Sequence, residues 1–358
     1  MSVVGELVVT RFTTLGDTNQ YQRSTLTIFD LERELSFGKL FEDGRYFATI
    51  VTETLGGIFH ALLFGNAILI DIGFQTIAFI GIYKFLMAVP MTERRILAIF
   101  VLTPSFNLWS SVAAKEPLIV FFIGVICAYL VKLYSNKAKL GALEIVSVIG
   151  IFFFKVHYVP ALLFLYFSLI FGKNVKQKAA FVVLAGMISL VPLYLARDKV
   201  DEMAFQITPH FLSYGNSREA IWVEKYDVFS KAPYGMFQGF FGPTISESQA
   251  GPLQLASFME STVIIALLLL LLVRRIRKLP VYSFFVGSFA LGWLLFASYP
   301  LGIMNSGSAI RYRTGHLLLV VFIFTITLSR SYYLAWRKQQ EFEALARTPG
   351  NRQNGSGS

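Results

Sequence analysis

Cysteine and histidine are scarce in this 358-residue chain, which contains one cysteine and four histidines. The single cysteine, Cys127, lies inside an apolar run, so the fold does not rely on a disulfide bond. The histidines are scattered and the acidic residues are not spaced as ligands, so we predict no metal site. The chain also has no P-loop, no dinucleotide-binding glycine fingerprint and no nucleophile elbow. We therefore predict no cofactor.

Charged residues make up only 15% of the chain, whereas 55% is hydrophobic and 15% aromatic, with a mean hydropathy of +0.59. This composition predicts a polytopic membrane protein. We expect an all-α transmembrane helix bundle of about eight to ten membrane helices, some short or re-entrant, with one long extracytoplasmic loop. The net charge of +10 does not indicate a nucleic-acid partner, because much of it lies in short loops such as Arg274-Arg275-Ile276-Arg277-Lys278. The positive-inside rule assigns such loops to the cytoplasm.

The alternation of apolar runs and polar gaps divides the chain into five predicted segments. These are an N-terminal polar segment at 1–45, a first membrane helix bundle at 46–196, an extracytoplasmic loop at 197–252, C-terminal membrane helices at 253–336, and a basic cytoplasmic tail at 337–358. The closing residues Gly355 to Ser358 have the composition of an artificial linker and are left out of the fold prediction.

The N-terminal segment carries a polar, turn-like patch from Gly16-Asp17 to Tyr21. A simple Asx-turn or helix cap would account for these residue types, and a functional role is the alternative. Residues 46–65 are apolar but interrupted by polar residues and a Gly-Gly pair, which favours an amphipathic or re-entrant element. Asp17 then lies on the outer side, whereas a full span at 46–65 would put it inside the cell. The acidic balance of 1–45 favours the outside.

The stretch at 104–116, with the sequence PSFNLWSSVAAKE, is a polar cluster between two long apolar runs. Because a bilayer core offers no water to polar groups, such a cluster must face protein, water or a substrate. If the stretch is helical, Ser111 and Lys115 share one stripe. Ser105, Trp109 and Glu116 then lie on another. The alternative is a polar helix end at the membrane interface, with Trp109 in the aromatic belt and Lys115 reaching to water.

Residues 142–171 are too long for one span and too short for two, and Lys155 and His157 lie in a polar interruption at their middle. Basic loops flank both ends, so we predict a helical hairpin with both ends in the cytoplasm and these two residues near its outer turn. A cation at an irregular turn within the membrane is a functional-site hypothesis. The alternative is that Lys155 merely reaches water at the outer interface.

Two arginines, Arg311 and Arg313, also fall on the predicted outer side, against the positive-inside trend. An anionic ligand would explain their position. In an extended segment the two side chains project to one side and can grip successive phosphates, whereas in a helix they diverge. Binding of a lipid headgroup, or an ion pair with Glu260, is the alternative. The same topology brings Lys115, Lys155, His157 and Glu260 to this side.

Four short motifs follow one another along the chain: Gly16-Asp17…Tyr21, Pro104-Ser105…Trp109-Ser110-Ser111…Lys115-Glu116, Lys155-Val156-His157, and Asn305…Gly307…Arg311-x-Arg313. Together they resemble bacterial polytopic polysaccharide-assembly proteins, namely Wzy-type repeat-unit polymerases and related GT-C-like membrane glycosyltransferases. The chain departs from the family in lacking an obvious first spanning helix, which bears on the placement of Asp17. It also has Lys155 where the family pattern has arginine, which keeps the charge but loses bidentate phosphate geometry.

The resemblance implies an enzyme of the bacterial cytoplasmic membrane that joins undecaprenyl-pyrophosphate-linked oligosaccharides, with its active site facing the outer side. It implies that Arg311 and Arg313 bind the pyrophosphate, assisted by Lys115 and Lys155. For the general base, Asp17 is the first candidate, and His157 and Glu116 are the second. The remaining expected substrate contacts are Trp109, Tyr21, Asn305 and Glu260, of which Glu260 would orient an arginine.

The expected partners are a lipid-linked oligosaccharide, membrane lipids, and a chain-length regulator or export complex. Two other classes of protein stay open. A transporter or flippase of lipid-linked sugars would also need cations within a bundle, but it should contain internal repeats, and none is convincing here. A non-catalytic assembly subunit would explain the long aromatic loop without requiring clustered arginines.

Overall fold

The computed structural model describes residues 2–7, 17–27, 44–134, 138–171, 175–212, 218, 221–276 and 281–328. Every regular element in these ranges is helical. The α-helices, numbered in chain order, are α1 (Ser2–Leu7), α2 (Thr18–Gln22), α3 (Gly44–Leu62), α4 (Ala67–Ala88), α5 (Met91–Val101), α6 (Pro104–Trp109), α7 (Lys115–Tyr134), α8 (Ala142–Phe154), α9 (Val159–Phe171), α10 (Val175–Leu195), α11 (Arg197–Leu212), α12 (Asp227–Ser230), α13 (Ala232–Phe241), α14 (Ile245–Ser248), α15 (Pro252–Ile276), α16 (Val281–Gly302) and α17 (Ser306–Phe322).

Two further helical turns differ from the α-helix, one being tighter and the other wider. A 3₁₀ turn at Val156–Tyr158 links α8 to α9, and a π-helical turn at Ile323–Thr327 extends α17. Gly16 of the predicted N-terminal motif and the predicted basic tail at 337–358 lie outside the described residues.

Five helices, α4, α7, α15, α16 and α17 with its π turn, are long and apolar enough to cross a membrane. A hydrocarbon core about 30 Å thick requires about 20 such residues. Two further pairs, α8 with α9 and α10 with α11, bend by 112° and 64°, and the number of spans within the described residues becomes seven if each pair counts as one. The chain is therefore a helical, multi-pass membrane protein over its described part.

The centre of the bundle is formed by α7 and α17. In their apolar windows 72% and 89% of the residues are buried, compared with 17% in α15. The helix α7 packs against α4, α8 and α17, and α17 packs against α7, α13 and α16. Charged residues in the buried parts of these two helices, such as Glu116 and Arg313, are therefore enclosed by protein, and their charge must be matched there.

Glycine contacts hold α4 close to α7. A Cβ atom on Gly81 would lie 2.5 Å from the Cα of Phe121, and one on Gly124 would lie 2.4 Å from the carbonyl oxygen of Gly81. Small residues allow such close approach of membrane helices. Near the start of α4, Asp71 contacts the backbone of Ala113, just before α7. The two helices therefore run parallel, and α5 and α6 return the chain between them.

The starts of α7 and α17 also lie side by side, with Arg311 against Glu116. The turn between α8 and α9 joins them there, because Lys155 lies over the ring of Tyr312. We call this end of the bundle, formed by α2, α3, the stretch at 110–114, the α8–α9 turn and the start of α17, the site end.

The stretch at 104–116 is not one helix, and the prediction of continuous helical stripes along it is wrong. The helix α6 ends at Trp109 and α7 begins at Lys115, with irregular backbone between them. A buried side chain stabilises this break, since Oδ1 of Asp71 accepts a hydrogen bond from the N–H of Ala113 at 2.7 Å. The irregular backbone is tolerated within a membrane protein because it is buried in protein rather than exposed to lipid.

The predicted loop at 197–252 is largely helical in its described part, since it contains α11 to α14. Arg218 ties this segment together: its Nε donates to Oε1 of Glu247 at 2.7 Å, and its Nη1 donates to the carbonyl of Ile303 at 2.8 Å. The segment therefore forms a helical cap packed on the end of α16.

The interruption predicted within 142–171 is present, with α8 ending at Phe154 and α9 beginning at Val159. The helix α3 occupies the ambiguous region at 46–65 and is not among the five spanning helices. It contacts α2 and α8, and Phe47 packs against Phe153 beside the α8–α9 turn. The α3 helix therefore lies against the site end.

Candidate functional site

The site is built around an ion pair between the two central helices. Nε of Arg311, in α17, donates to Oε1 of Glu116, in the first turn of α7, at 2.7 Å. The Glu116 side chain is 3% exposed and the Arg311 side chain 15% exposed. Because the positive end of a helix dipole lies at its N-terminus, the start of α7 also stabilises the carboxylate. Glu116 thereby fixes the guanidinium, and the Arg311 side chain stays partly accessible.

Asp17 and Trp109 border the same guanidinium. Nη2 of Arg311 lies 3.7 Å from Oδ2 of Asp17, which is an ion pair longer than a hydrogen bond. The Asp17 side chain is 53% exposed. On another side, Cζ of Arg311 lies 5.4 Å from the ring centroid of Trp109, within cation–π range. Asp17 is therefore the accessible carboxylate of the site, and Glu116 is the enclosed one.

Tyr21 and Lys115 lie next to this ion pair. Tyr21 is buried, and burial together with the nearby carboxylates of Asp17 and Glu116 raises the pKa of its hydroxyl well above the ordinary value. Nζ of Lys115 donates to Oγ1 of Thr49 in α3 at 2.7 Å, and it interacts electrostatically with the same two carboxylates. Lys115 is thus held inside the cluster and does not simply extend to water.

Lys155 reaches the cluster from the α8–α9 turn. Its Nζ lies 4.6 Å from the ring centroid of Tyr312, and its charge acts on Glu116. His157 lies on the same turn and packs edge-on against Tyr158, with ring centroids 4.7 Å apart. The turn thus contributes a cation to the cluster, while His157 contacts an aromatic side chain.

Arg313 lies in a separate environment. It is 1% exposed, and its Nη2 lies 3.3 Å from Oε1 of Glu260. Nη1 donates to Oγ of Ser261 at 2.7 Å, and Nη2 donates to Oγ of Ser105 at 3.1 Å. The N–H of Ser105 in turn donates to Oε2 of Glu260 at 2.9 Å. This network links α6, α15 and α17 and occupies the guanidinium with protein partners.

The two arginines therefore diverge, as expected for positions two apart on a helix. The extended arrangement, in which both grip successive phosphates, is not formed, because this segment is α17. Asn305 is the N-cap of that helix: its Oδ1 accepts from the N–H groups of Gly307 and Ser308. Its side chain thus stabilises the start of the helix that carries Arg311.

The sequence prediction missed two contributors. Asp71 is fully buried and accepts hydrogen bonds from Ala113 and from Nε2 of Gln22 at 3.1 Å, so it joins α2 to the break before α7. An acidic residue within an apolar run was the available signal. The second is His316, whose Nδ1 lies 3.1 Å from the hydroxyl of Tyr158. The sequence signal for a role of His316 was its position, one helical turn beyond Arg313.

Five charged side chains come together around this ion pair, the three cations Lys115, Lys155 and Arg311 and the two carboxylates Asp17 and Glu116. We call this group the charged cluster. Glu53 also borders it and accepts a hydrogen bond from Gln20. Within the described ranges no group of three or more His, Cys, Asp or Glu side chains is arranged to hold a metal ion.

No family model matches this chain, and neither the curated proteins nor the solved structures contain a significant match to it.

Proposed function

We propose that this protein is a membrane glycosyltransferase that joins undecaprenyl-pyrophosphate-linked oligosaccharide units on the outer face of the bacterial cytoplasmic membrane. The observation that carries the proposal is the charged cluster, in which a partly exposed arginine lies beside an exposed carboxylate at one end of an apolar bundle. A lipid-linked substrate needs an apolar environment for its tail and cations for its pyrophosphate.

In this proposal Arg311 binds the pyrophosphate, and Lys115 and Lys155 add positive charge nearby. Glu116 acts as a positioning residue, because its carboxylate is enclosed and bonded to Arg311. The role of Arg313 changes from phosphate ligand to positioning residue, since Glu260, Ser105 and Ser261 already occupy its donors.

The proposed reaction is transfer of a glycan to an acceptor hydroxyl. The hydroxyl oxygen attacks the anomeric carbon, and the bond between that carbon and the phosphate oxygen breaks. Lipid pyrophosphate leaves with the electron pair, and the hydroxyl proton passes to a base. Asp17 is the favoured base because its carboxylate is half exposed and does not form a close hydrogen bond to Arg311. Cations near the leaving group stabilise the charge that develops there.

The proposal also includes the side of the membrane on which each segment lies and the total number of membrane helices. With the site end outside the cell, the helical cap at 197–252 and the segment at 1–45 are extracytoplasmic, and the tail at 337–358 is cytoplasmic. The short helices α3, α5 and α6 then bring the total to about eight to ten membrane helices. A chain-length regulator or export complex remains an expected partner.

The test is polymerisation by the purified full chain in detergent, supplied with lipid-linked repeat units and analysed by gel. We expect a ladder of products, and we expect Arg311→Ala to abolish it while the protein stays folded. Arg95→Ala is the matched control, because Arg95 is an exposed arginine in α5. A ladder of normal intensity from Arg311→Ala would overturn the pyrophosphate assignment.

The other outcomes separate the remaining classes. Transfer of a single sugar from a polyprenyl-phosphate donor, without a ladder, would indicate an ordinary GT-C-like transferase. Tight binding of the lipid-linked substrate without any chemistry would favour a transporter or flippase.

A further inference from the structure

The short helix α6 contacts both arginines of α17, one near each of its ends. Near its start, Oγ of Ser105 accepts a hydrogen bond from Nη2 of Arg313 at 3.1 Å. At its end, the ring centroid of Trp109 lies 5.4 Å from Cζ of Arg311. Ser105 and Trp109 are four residues apart and therefore lie on one side of the helix. Whatever holds the start of α6 thus also sets the distance between Trp109 and Arg311.

The helix α6 is too short to be stable by its own hydrogen bonds. It has six residues, and helix formation in isolation is unfavourable at that length. Its first turn also presents backbone N–H groups that need acceptors. The hydroxyl of the N-cap residue Thr103 donates to the carbonyl of Phe100 in α5 at 2.8 Å, so this side chain does not cap α6. The position of α6 therefore depends on groups from other helices.

Glu260, in the neighbouring helix α15, supplies the cap. Its Oε2 accepts a hydrogen bond from the N–H of Ser105 at 2.9 Å, and its Oε1 accepts one from the Ser105 hydroxyl. The positive end of the helix dipole also favours a carboxylate at this place. Oε1 lies 3.3 Å from Nη2 of Arg313 as well. Balancing the charge of Arg313 requires neither bond to Ser105, so these two bonds indicate a second role for Glu260.

Trp109 lies where it restricts the guanidinium of Arg311. Its side chain is largely buried and packs against Val112 and Ile310. The ring is within cation–π range of the guanidinium, while Glu116 accepts a hydrogen bond from Nε. A planar guanidinium recognises phosphate through two parallel hydrogen bonds only when it has the correct orientation. A displaced Trp109 would therefore release one of the two groups that orient Arg311.

We propose that Glu260 is a positioning residue that holds α6 in place and thereby keeps the ring of Trp109 against the guanidinium of Arg311. The inference rests on the proposed function, because it explains how the arginine assigned to the pyrophosphate is oriented. Glu260 acts at a distance from the ligand, through Ser105 and the single turn of helix that leads to Trp109.

The decisive variant combines Glu260→Met with Arg313→Met, in the full chain in lipid nanodiscs. Replacing both members of a buried ion pair by apolar side chains of similar volume usually preserves stability. If Glu260 only balanced the charge of Arg313, this neutral pair would behave like the native chain. We expect instead that the backbone N–H groups at 105–110 exchange with solvent about tenfold faster, because the cap of α6 is lost. Mass spectrometry after deuterium labelling measures this rate.

The matched control is Ser261→Ala. Its hydroxyl accepts a hydrogen bond from Nη1 of Arg313 at 2.7 Å, on the other side of the same guanidinium, but Ser261 belongs to α15 rather than to α6. Exchange at 105–110 should stay at the native rate in this variant. A native rate in the double methionine variant would overturn the proposal.

Binding of inorganic pyrophosphate, measured by calorimetry, tests whether Glu260 acts through Trp109. The four proteins compared are the native chain, Trp109→Leu, the double methionine variant and the combination of all three substitutions. We expect Trp109→Leu and the double methionine variant each to raise the Kd by about fivefold to tenfold, the size of one cation–π contact. The combination should raise it no further, because both changes remove the same contact. Multiplied effects in the combination would overturn the route through Trp109.

The two measurements separate this proposal from the proposed function. Pyrophosphate binding with native exchange at 105–110 in the double methionine variant would refute the role of Glu260 and leave the pyrophosphate site intact. Faster exchange in that variant, in a protein whose native chain binds no pyrophosphate, would keep Glu260 as the residue that holds α6. It would refute the pyrophosphate assignment of Arg311.

Discussion

At the scale of single residues, each arginine of α17 has its own carboxylate partner. Arg311 is paired with Glu116, and Arg313 is paired with Glu260. Charges in the interior of a membrane protein are costly unless they are paired, so these two acids account for why both arginines can lie within the bundle. The pairs differ in access, because Arg313 is 1% exposed whereas the Arg311 side chain is 15% exposed. Of the two arginines, only Arg311 is accessible enough to exchange a protein partner for a ligand.

The Arg311–Glu116 pair should be energetically coupled. We expect Glu116→Gln and Arg311→Met each to lower the free energy of unfolding by about 2–4 kcal/mol, because each removes one charge of a largely enclosed ion pair. The double variant should lose less than the sum, with a coupling free energy of roughly 1–3 kcal/mol. The measurement is a double-mutant cycle from unfolding in mixed micelles followed by tryptophan fluorescence.

The matched control for that cycle is Glu202→Gln, at an exposed position of α11. This substitution should change the free energy of unfolding by no more than about 0.5 kcal/mol, as most surface substitutions do. Additive losses in the double variant would mean that the 2.7 Å contact contributes nothing to stability.

At the scale of helices, the position of Asp17 depends on how closely α2 docks onto α3. A Cβ atom on Gly56 would lie 2.1 Å from the carbonyl oxygen of Tyr21, and one on Gly57 would lie 2.1 Å from that of Leu26. No real side chain tolerates such a distance, so the two glycines are what allow this approach. The docked α2 then brings Asp17 to Arg311.

We therefore expect Gly56→Ala to displace α2 and to reduce turnover by roughly tenfold to a hundredfold, the cost of an ångström-scale misplacement of a reacting group. Hydrogen exchange of the backbone at 17–27 should become faster at the same time. Gly186→Ala is the control, since a Cβ atom there meets no atom within 4 Å. Normal turnover with accelerated exchange would exclude Asp17 as the base.

The membrane helices and the break at Lys155 could be predicted from sequence, because both depend on local apolar runs and their interruption. The break between Trp109 and Lys115 could not, since it is stabilised by Asp71, which lies far away in the sequence. Residue types alone also do not predict which residues of one helix face which residues of another. The pairing of Arg311 with Glu116 is a property of the packing of α7 against α17.

The role of Asn305 as a helix cap could have been predicted from the sequence. Asn305 followed by Ser306 and Gly307 at the start of an apolar run is a common N-cap pattern, and Asn305 does cap α17. The divergence of Arg311 and Arg313 follows once that helix is recognised. Their partners do not follow, because Glu116 and Glu260 belong to two other helices.

At the scale of the whole molecule, the alternating helices separate two ends with different chemistry. One is the site end, and the opposite end carries the turns near Arg95 and Lys139, where exposed basic residues lie. By the positive-inside rule we expect that opposite end to lie in the cytoplasm. Under the proposed function the charged cluster faces outward, where its positive charges would be matched by the ion pairs and by the proposed pyrophosphate ligand.

This orientation can be measured with single cysteines, because the only natural cysteine, Cys127, is buried and can be replaced by serine. In that background we place one cysteine at Gln249, exposed in the cap, and another at Lys139, exposed at the opposite end. A membrane-impermeant maleimide should label Gln249→Cys in intact spheroplasts and Lys139→Cys only after permeabilisation. The reverse pattern would put the charged cluster on the cytoplasmic side, where substrates of the outer leaflet cannot reach it. That result would not affect the described helix packing, but it would refute the proposed polymerisation on the outer face of the membrane.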